Sequence, residues 1–278
     1  MRKIIILSTL VLTVIACTEQ KNDIVSVSGS TTVLPVVSTA ADMFMKQNPG
    51  SKIIVNAGGS GVGVNQVGSQ RVEIGMISRD ITEKEISQYP NTSFKTHSIG
   101  RDAVVPVVSS EIYNAGITAL TLDQLAKVYR GEISSWKELN GPDKEILVID
   151  KEAARGTRHV FMEIVLGDKE AQAPGADLVL GANNEEQTAL VQSDAALGIL
   201  SNGWLNDDVK GLSIKMPDGT LIEPSLENIV NNNFPITRDL VLITNGTPTG
   251  KTKEFIDFIL SAKGQEIVVK NGYVGISK

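Results

Sequence analysis

The chain has one cysteine, Cys17, and two histidines, His97 and His159, in 278 residues. One thiol cannot close a disulfide within the chain. Two distant histidines and no further cysteine also leave no His/Cys cluster with the ligand spacing of a zinc site. Aromatic residues make up only 4% of the chain, while glycines number 25, which fits an α/β protein with many strand-to-helix turns better than a β-sandwich. A basic excess is missing too. The formal charge is −6, the wrong sign for a general nucleic-acid surface.

The one long apolar run is at the N-terminus. "MRKIIILSTLVLTVIAC" carries Arg2 and Lys3 ahead of an apolar stretch from Ile4 to Ala16. That stretch is shorter than the roughly 20 residues a membrane-spanning helix needs, and it has the length of a signal-peptide core. It ends at Cys17 after the small Ala16, and it resembles the lipobox of bacterial lipoproteins, in which the cysteine is lipidated and becomes the new N-terminus. Residues 1–17 are therefore expected to be a lipoprotein signal. Residues 18–23, "TEQKND", are expected to be a polar tether. Loss of Arg2 and Lys3 takes the formal charge to −8.

What remains has 41% hydrophobic residues over the whole chain, enough for a substantial core. Strand-like and helix-like segments alternate from Ile24. "IVSVS", "KIIVNA", "VEIGMI" and "EILVID" read as strands, and "VLPVVSTAADMFMKQN", "GVNQVGSQR" and "RHVFMEIVL" as helices. "TLDQLAKVYRG" reads as a helix capped by Thr121 and ended by Gly131. "AVVPVVS" reads as a strand interrupted at Pro106, and "PITRDLVLITN" returns to strand character. Repeated strand–loop–helix units predict mostly parallel sheets with helices on both faces. Because no flexible linker divides the chain, two lobes connected by crossings near Pro106 and Pro235 are expected.

Three strand-to-helix turns share one design. They are Gly29-Ser30-Thr31-Thr32, Gly58-Gly59-Ser60-Gly61 and Ala153-Ala154-Arg155-Gly156-Thr157. Each places hydroxyls and backbone amides at a helix start, where the dipole favours an anion. Any one of them is also an ordinary helix cap. Ser78 and Arg79 follow a fourth strand, and the Arg79 guanidinium is suited to a tetrahedral oxyanion. Lys151 and Arg158 read as added positive charge near the third turn or as solvated surface. Glu185-Glu186 and Asp207-Asp208 read as solvated charge, and His159 as a packing or surface histidine. The glycines fit neither a phosphate loop of the G-x-x-x-x-G-K-[ST] type nor G-x-G-x-x-G. No G-x-S-x-G elbow is present, so no catalytic residue is assigned.

Taken in order, "VSGSTTVLP", "NAGGSGVGVNQV", "VEIGMISRD", "LTLDQLAKVYRGEISSWKELNGPDKEI", "GTR" at 156–158, "FPITRDLVLIT" and "EFIDFILSAKGQEIVVKNGYV" resemble the phosphate-binding lipoproteins of bacterial ABC importers. The resemblance implies a type II periplasmic-binding-protein fold, α/β, with two lobes, a two-strand hinge and the ligand in the cleft. Lobe 1 would be 24–104 plus 237–278, and lobe 2 would be 105–236. Ligand residues would be Ser30, Thr31, Thr32, Ser60, Ser78, Arg79, Arg155, Gly156 and Thr157. The implied partners are inorganic phosphate, ABC permease subunits and, through the lipid on Cys17, the membrane. The protein would act as an exported monomer without cofactor or metal. Two departures stand out. Ser78 replaces an Asp common in that family, which accepts the phosphate proton and helps reject sulfate. Arg155 stands where a Ser is usual and Lys151 where an Arg is usual, as if Arg155 had taken over that charge. Sulfate, molybdate or tungstate binding is the alternative within the class; a phosphate sensor, an adhesin or a phosphoester hydrolase lies outside it.

Overall fold

The computed structural model describes residues 23–276. The expected signal, Cys17 and all of the tether but its last residue lie outside them. That last residue, Asp23, already belongs to the first strand.

The chain enters through β1 (Asp23–Gly29), α1 (Leu34–Gln47), β2 (Ser51–Ala57), α2 (Ser60–Gly68), β3 (Ile74–Ile77) and α3 (Glu83–Gln88). It then crosses on the 15-residue β4 (Phe94–Val108). Beyond the crossing lie α4 (Ser110–Asn114), β5 (Ala119–Leu120), α5 (Leu122–Tyr129), β6 (Leu147–Lys151), α6 (Gly156–Leu166), β7 (Leu178–Leu180) and α7 (Asn183–Gln192). β8 (Ala196–Ser201), β9 (Lys210–Gly211), β10 (Ser213–Lys215), β11 (Leu221–Ile222) and α8 (Leu226–Val230) follow. The chain returns on β12 (Thr237–Asn245) and ends with α9 (Gly250–Leu260) and α10 (Ala262–Lys270).

The main sheet runs β2-β1-β3-β12-β4-β8-β6-β7, with β9 beside β4. Its outer pairs are parallel, as strand–helix–strand units require. Its middle is antiparallel, because the crossing strands β4 and β12 run against each other and against β3 and β8. β4 pairs with β12 from Phe94 to Ala103 and with β8 from Val104 to Val108, so one strand serves both lobes. The apolar residues separate accordingly. One cluster is built from side chains between Ala103 and Ile236, including Trp136, Phe161 and Leu197. The others combine the first strands and helices with Leu240, Phe255 and Val268 from the C-terminal segment.

Pro106 does not interrupt its strand. Its carbonyl accepts from the Leu212 amide. A residue in an antiparallel strand points nitrogen and carbonyl to the same side, so the missing N–H falls beside the short β9 rather than on the β8 ladder. Thr121 caps α5 in a reciprocal box with Gln124, and Gly131 takes the left-handed conformation just past its end.

Gly29 is the glycine on which the first turn depends. Its φ is 141°, and a Cβ there would stand 2.1 Å from the Met76 carbonyl oxygen. That oxygen accepts the Ser30 amide at 2.8 Å, so a methyl group would pry the first turn from β3. Gly29→Ala is expected to cost about 3 kcal/mol through overpacking and backbone strain. Urea unfolding measures this, and an unchanged midpoint would contradict it.

Candidate functional site

The three turns meet at one place. The Gly29 carbonyl accepts the amides of Gly58 and Gly59, both at 2.8 Å, which fastens the first turn to the second. The third turn arrives from the other lobe, where the Gly61 amide donates to the Ala154 carbonyl at 3.0 Å. Gly156 lets the lobes approach this closely. A Cβ there would lie 2.5 Å from Ser60 Oγ and 2.6 Å from Ser78 Oγ.

The hydroxyls do more than cap helices. Ser30 Oγ accepts the Thr32 amide at 3.2 Å, but the residue preceding α1 is Val33, which makes no side-chain cap. Thr31 and Thr32 are therefore free of the capping role. Ser30 Oγ also donates to Ser78 Oγ at 3.0 Å. Ser60 Oγ accepts the Ser78 amide at 3.0 Å and lies 3.4 Å from Ser78 Oγ. Across the cavity, Thr32 Oγ1 accepts from Asn183 Nδ2 and from Arg238 Nη2, each at 3.2 Å. Arg238 Nη1 donates to Thr157 Oγ1 at 3.0 Å. Arg238 itself is held by Asp102, with Nε and Nη2 at 2.8 and 2.5 Å from Oδ2.

Ser30, Thr31, Thr32, Gly59, Ser60, Ser78, Lys151, Arg155, Gly156, Thr157, Gly181 and Asn183 line the resulting cavity. Its volume is about 10 Å3, room for about one water-sized occupant. No carboxylate lines it. Its two cations are compensated from behind, Lys151 by Glu186 and Arg155 by Glu152. The Lys151–Glu186 pair is sealed, with side-chain exposures of 1% and 0%. Burial pushes the Glu186 carboxyl up, and Lys151 opposes the rise. The Arg155 guanidinium lies along Glu152, with Nε and Nη2 at 2.9 and 2.5 Å from Oε2.

Three sequence readings are revised, and one left open, that of Lys151, is decided. The Arg79 side chain does not enter this cavity. Its guanidinium makes a two-pronged pair with Glu85, at 2.9 and 2.7 Å, and lines a separate groove between the lobes with His159 and Glu163. Glu85 sits in the capping box of α3 with Thr82, so its place is fixed by the helix start and Arg79 follows it. Glu186 is not solvated, because α7 turns it inward onto Lys151 and the Ile199 amide. Arg158 is buried as well, on Asp150 at 2.9 Å and the Ala171 carbonyl at 2.8 Å. Lys151 is part of the cavity wall rather than surface.

Sequence reasoning alone gives no role to Asn183, Arg238 or Asp102. The last two carried a signal, since each is a charge set beside an apolar strand run, "DAVVPVV" and "TRDLVLIT". Such a charge needs a buried partner.

A family model described as "PBP superfamily domain" matches residues 16–263. The chain belongs to the PBP superfamily. Among its relatives within that superfamily is the phosphate-binding protein PstS of Borreliella burgdorferi, 34% identical over 99% of both chains. The PstS protein of Bacillus subtilis is 32% identical over 93% of this chain and 83% of its own. A solved structure of a candidate phosphate ABC transporter substrate-binding protein from Clostridium perfringens, with bound phosphate, superimposes with a TM-score of 0.82 at 31% identity. It covers 91% of this chain and 100% of that one. The fold is the two-lobe type II architecture of this superfamily.

His159 follows the third turn on α6. Burial, then the Arg79 and Lys169 charges, pull its pKa from 6.5 down to about 4. The unfolded chain takes up this proton near pH 6.5 and the folded chain only near pH 4. The protein is therefore expected to lose stability as pH falls from 6.5 to 4. His159→Gln should flatten that slope in urea midpoints measured across the window. Parallel slopes for the two proteins would contradict this assignment.

Proposed function

We propose that the protein is a solute-binding lipoprotein that captures inorganic phosphate in the cavity between its lobes and delivers it to an ABC importer. The observation that carries this reading is the meeting of hydroxyl groups from both lobes around a small cavity with two cations and no carboxylate in its walls. Hydroxyls and helix-start amides are donors that can ring a tetrahedral anion, and the first amides of α2 and α6 lack partners from within their helices. The PstS relatives support the same ligand.

Ser30, Thr31, Thr32, Ser60, Ser78, Gly156 and Thr157 would hold the ion, with Lys151, Arg155 and Asn183 beside them. A tetrahedral ion is larger than water, so its entry requires the lobes to part and the Ser30–Ser78–Ser60 contacts to open. The lobes would be 24–104 plus 237–278 and 105–236, hinged on β4 and β12. Lipid on Cys17 would hold the protein at the membrane, exported and monomeric, where it meets the permease.

The reading is non-enzymatic. A phosphoester hydrolase needs a nucleophile with a base beside it. The bonds made to Ser60, Thr32 and Thr157 come from donors, namely the Ser78 amide, Asn183 and Arg238. One observation favours a second ligand. With Ser78 in the wall, the acceptor for a phosphate proton is a hydroxyl, a weaker one than a carboxylate, so sulfate is the competitor to measure.

Titration calorimetry with phosphate and sulfate tests both readings. Phosphate is expected to bind, and tight sulfate binding without phosphate binding would overturn the assignment. Lys151 is the fully buried cation of the two, so Lys151→Ala should lose about 1.5–3 kcal/mol of phosphate binding. Arg155→Ala, whose partner Glu152 is half exposed to water, should lose under about 1 kcal/mol. The reverse order would mean that Arg155 has taken over the charge.

A further inference from the structure

We propose that Arg238 is a positioning residue of the cavity, which sets the Thr32 and Thr157 hydroxyls, one from each lobe, as donors to the bound anion. The inference rests on the phosphate reading and goes beyond it, because Arg238 is not among the residues that line the cavity.

Hydrogen-bond roles fix where each proton points. A guanidinium only donates. Arg238 Nη2 donates to Thr32 Oγ1 at 3.2 Å and Nη1 to Thr157 Oγ1 at 3.0 Å. Thr32 Oγ1 also accepts from Asn183 Nδ2. Its two lone pairs are then used, and only its proton is left to offer. The Thr157 hydroxyl is biased the same way. The guanidinium cannot turn aside, because Nε and Nη2 are held on Asp102 Oδ2 while Asp102 Oδ1 accepts from Ser201 Oγ and the Asn202 amide. Arg238 is 2% exposed and Asp102 0% in their side chains, so water does not compete.

The opposite wall behaves differently. Ser30, Ser60 and Ser78 are bonded mainly to one another, and hydroxyl rotors can reverse the direction of such bonds. The threonine side thus meets deprotonated oxygens, and the serine side can take a protonated one. Arg238 reaches both threonines at once only when the lobes are together, so the donor set is complete only in the closed arrangement.

The test is a double-mutant cycle read by phosphate calorimetry on the purified protein. Arg238→Gln alone would strand the buried Asp102 charge, so it is paired with Asp102→Asn. The D102N/R238Q protein is expected to bind phosphate at least about tenfold more weakly. Thr157→Val should weaken binding about tenfold in the wild-type background, but no more than about twofold in D102N/R238Q, because the donor that Arg238 orients is already lost. A merely structural role for Arg238 gives the same Thr157→Val factor in both backgrounds, and that result overturns the proposal. Arg238→Lys provides a second reading should the double variant fail to fold. It keeps the charge beside Asp102, but one ammonium cannot span both hydroxyls, so binding should fall about fivefold in a protein that a cooperative thermal transition shows to be folded. Wild-type affinity in Arg238→Lys also overturns the proposal. Failure of the wild-type protein to bind phosphate would instead defeat the phosphate reading, and this inference with it.

Discussion

Asp102 and Arg238 stand directly opposite each other on the two strands that cross between the lobes. Burying such a pair costs several kcal/mol of desolvation per ion, and the attraction between the partners does little more than repay it. The pair is therefore better understood as a device for placement than as a source of stability. Asp102 gathers Ser201 and Asn202 from the end of β8, and Ser201 Oγ lies 3.2 Å from Tyr273 Oη near the C-terminus. Tyr273 in turn donates to the Thr32 carbonyl. Arg238 reaches Thr32 and Thr157 from the same point. The first turn, the third turn, the returning strand and the C-terminal segment thus all take their positions from one ion pair.

The cavity reverses the character of the molecule around it. An acidic chain presents there two cations and no carboxylate. Neither cation is left uncompensated, because Glu186 and Glu152 stand behind them. An isolated buried charge would be prohibitively costly. Pairing each cation from outside the wall lets the wall itself consist of donors. The same logic explains Arg79, whose charge is absorbed by a carboxylate already fixed at a helix cap.

Much of the fold was legible in the sequence because its signals are local. The strands before each turn, the Thr121 box and the Gly131 stop depend on residues within a few positions of one another. The three turns were legible for the same reason, since small residues between an apolar run and an amphipathic one announce a strand-to-helix junction wherever they occur. Pro106 misled because its effect depends on which neighbour its nitrogen faces, and that is a property of the sheet. Arg79 misled because a guanidinium can reach in several directions and the nearest carboxylate decides among them.

By itself, the sequence determined the alternation of strands and helices, the placing of hydroxyls and glycines at helix starts, and the match to an anion-binding family. These follow from backbone propensity and from patterns that are read within short windows. Only the tertiary structure decided which charges face the cavity. Lys151 and Glu186 are 35 positions apart and Thr32 and Arg238 are 206 apart, and nothing local couples them. Their pairing comes from burial, which forces each charge and each polar hydrogen to find a partner at whatever sequence distance the fold provides.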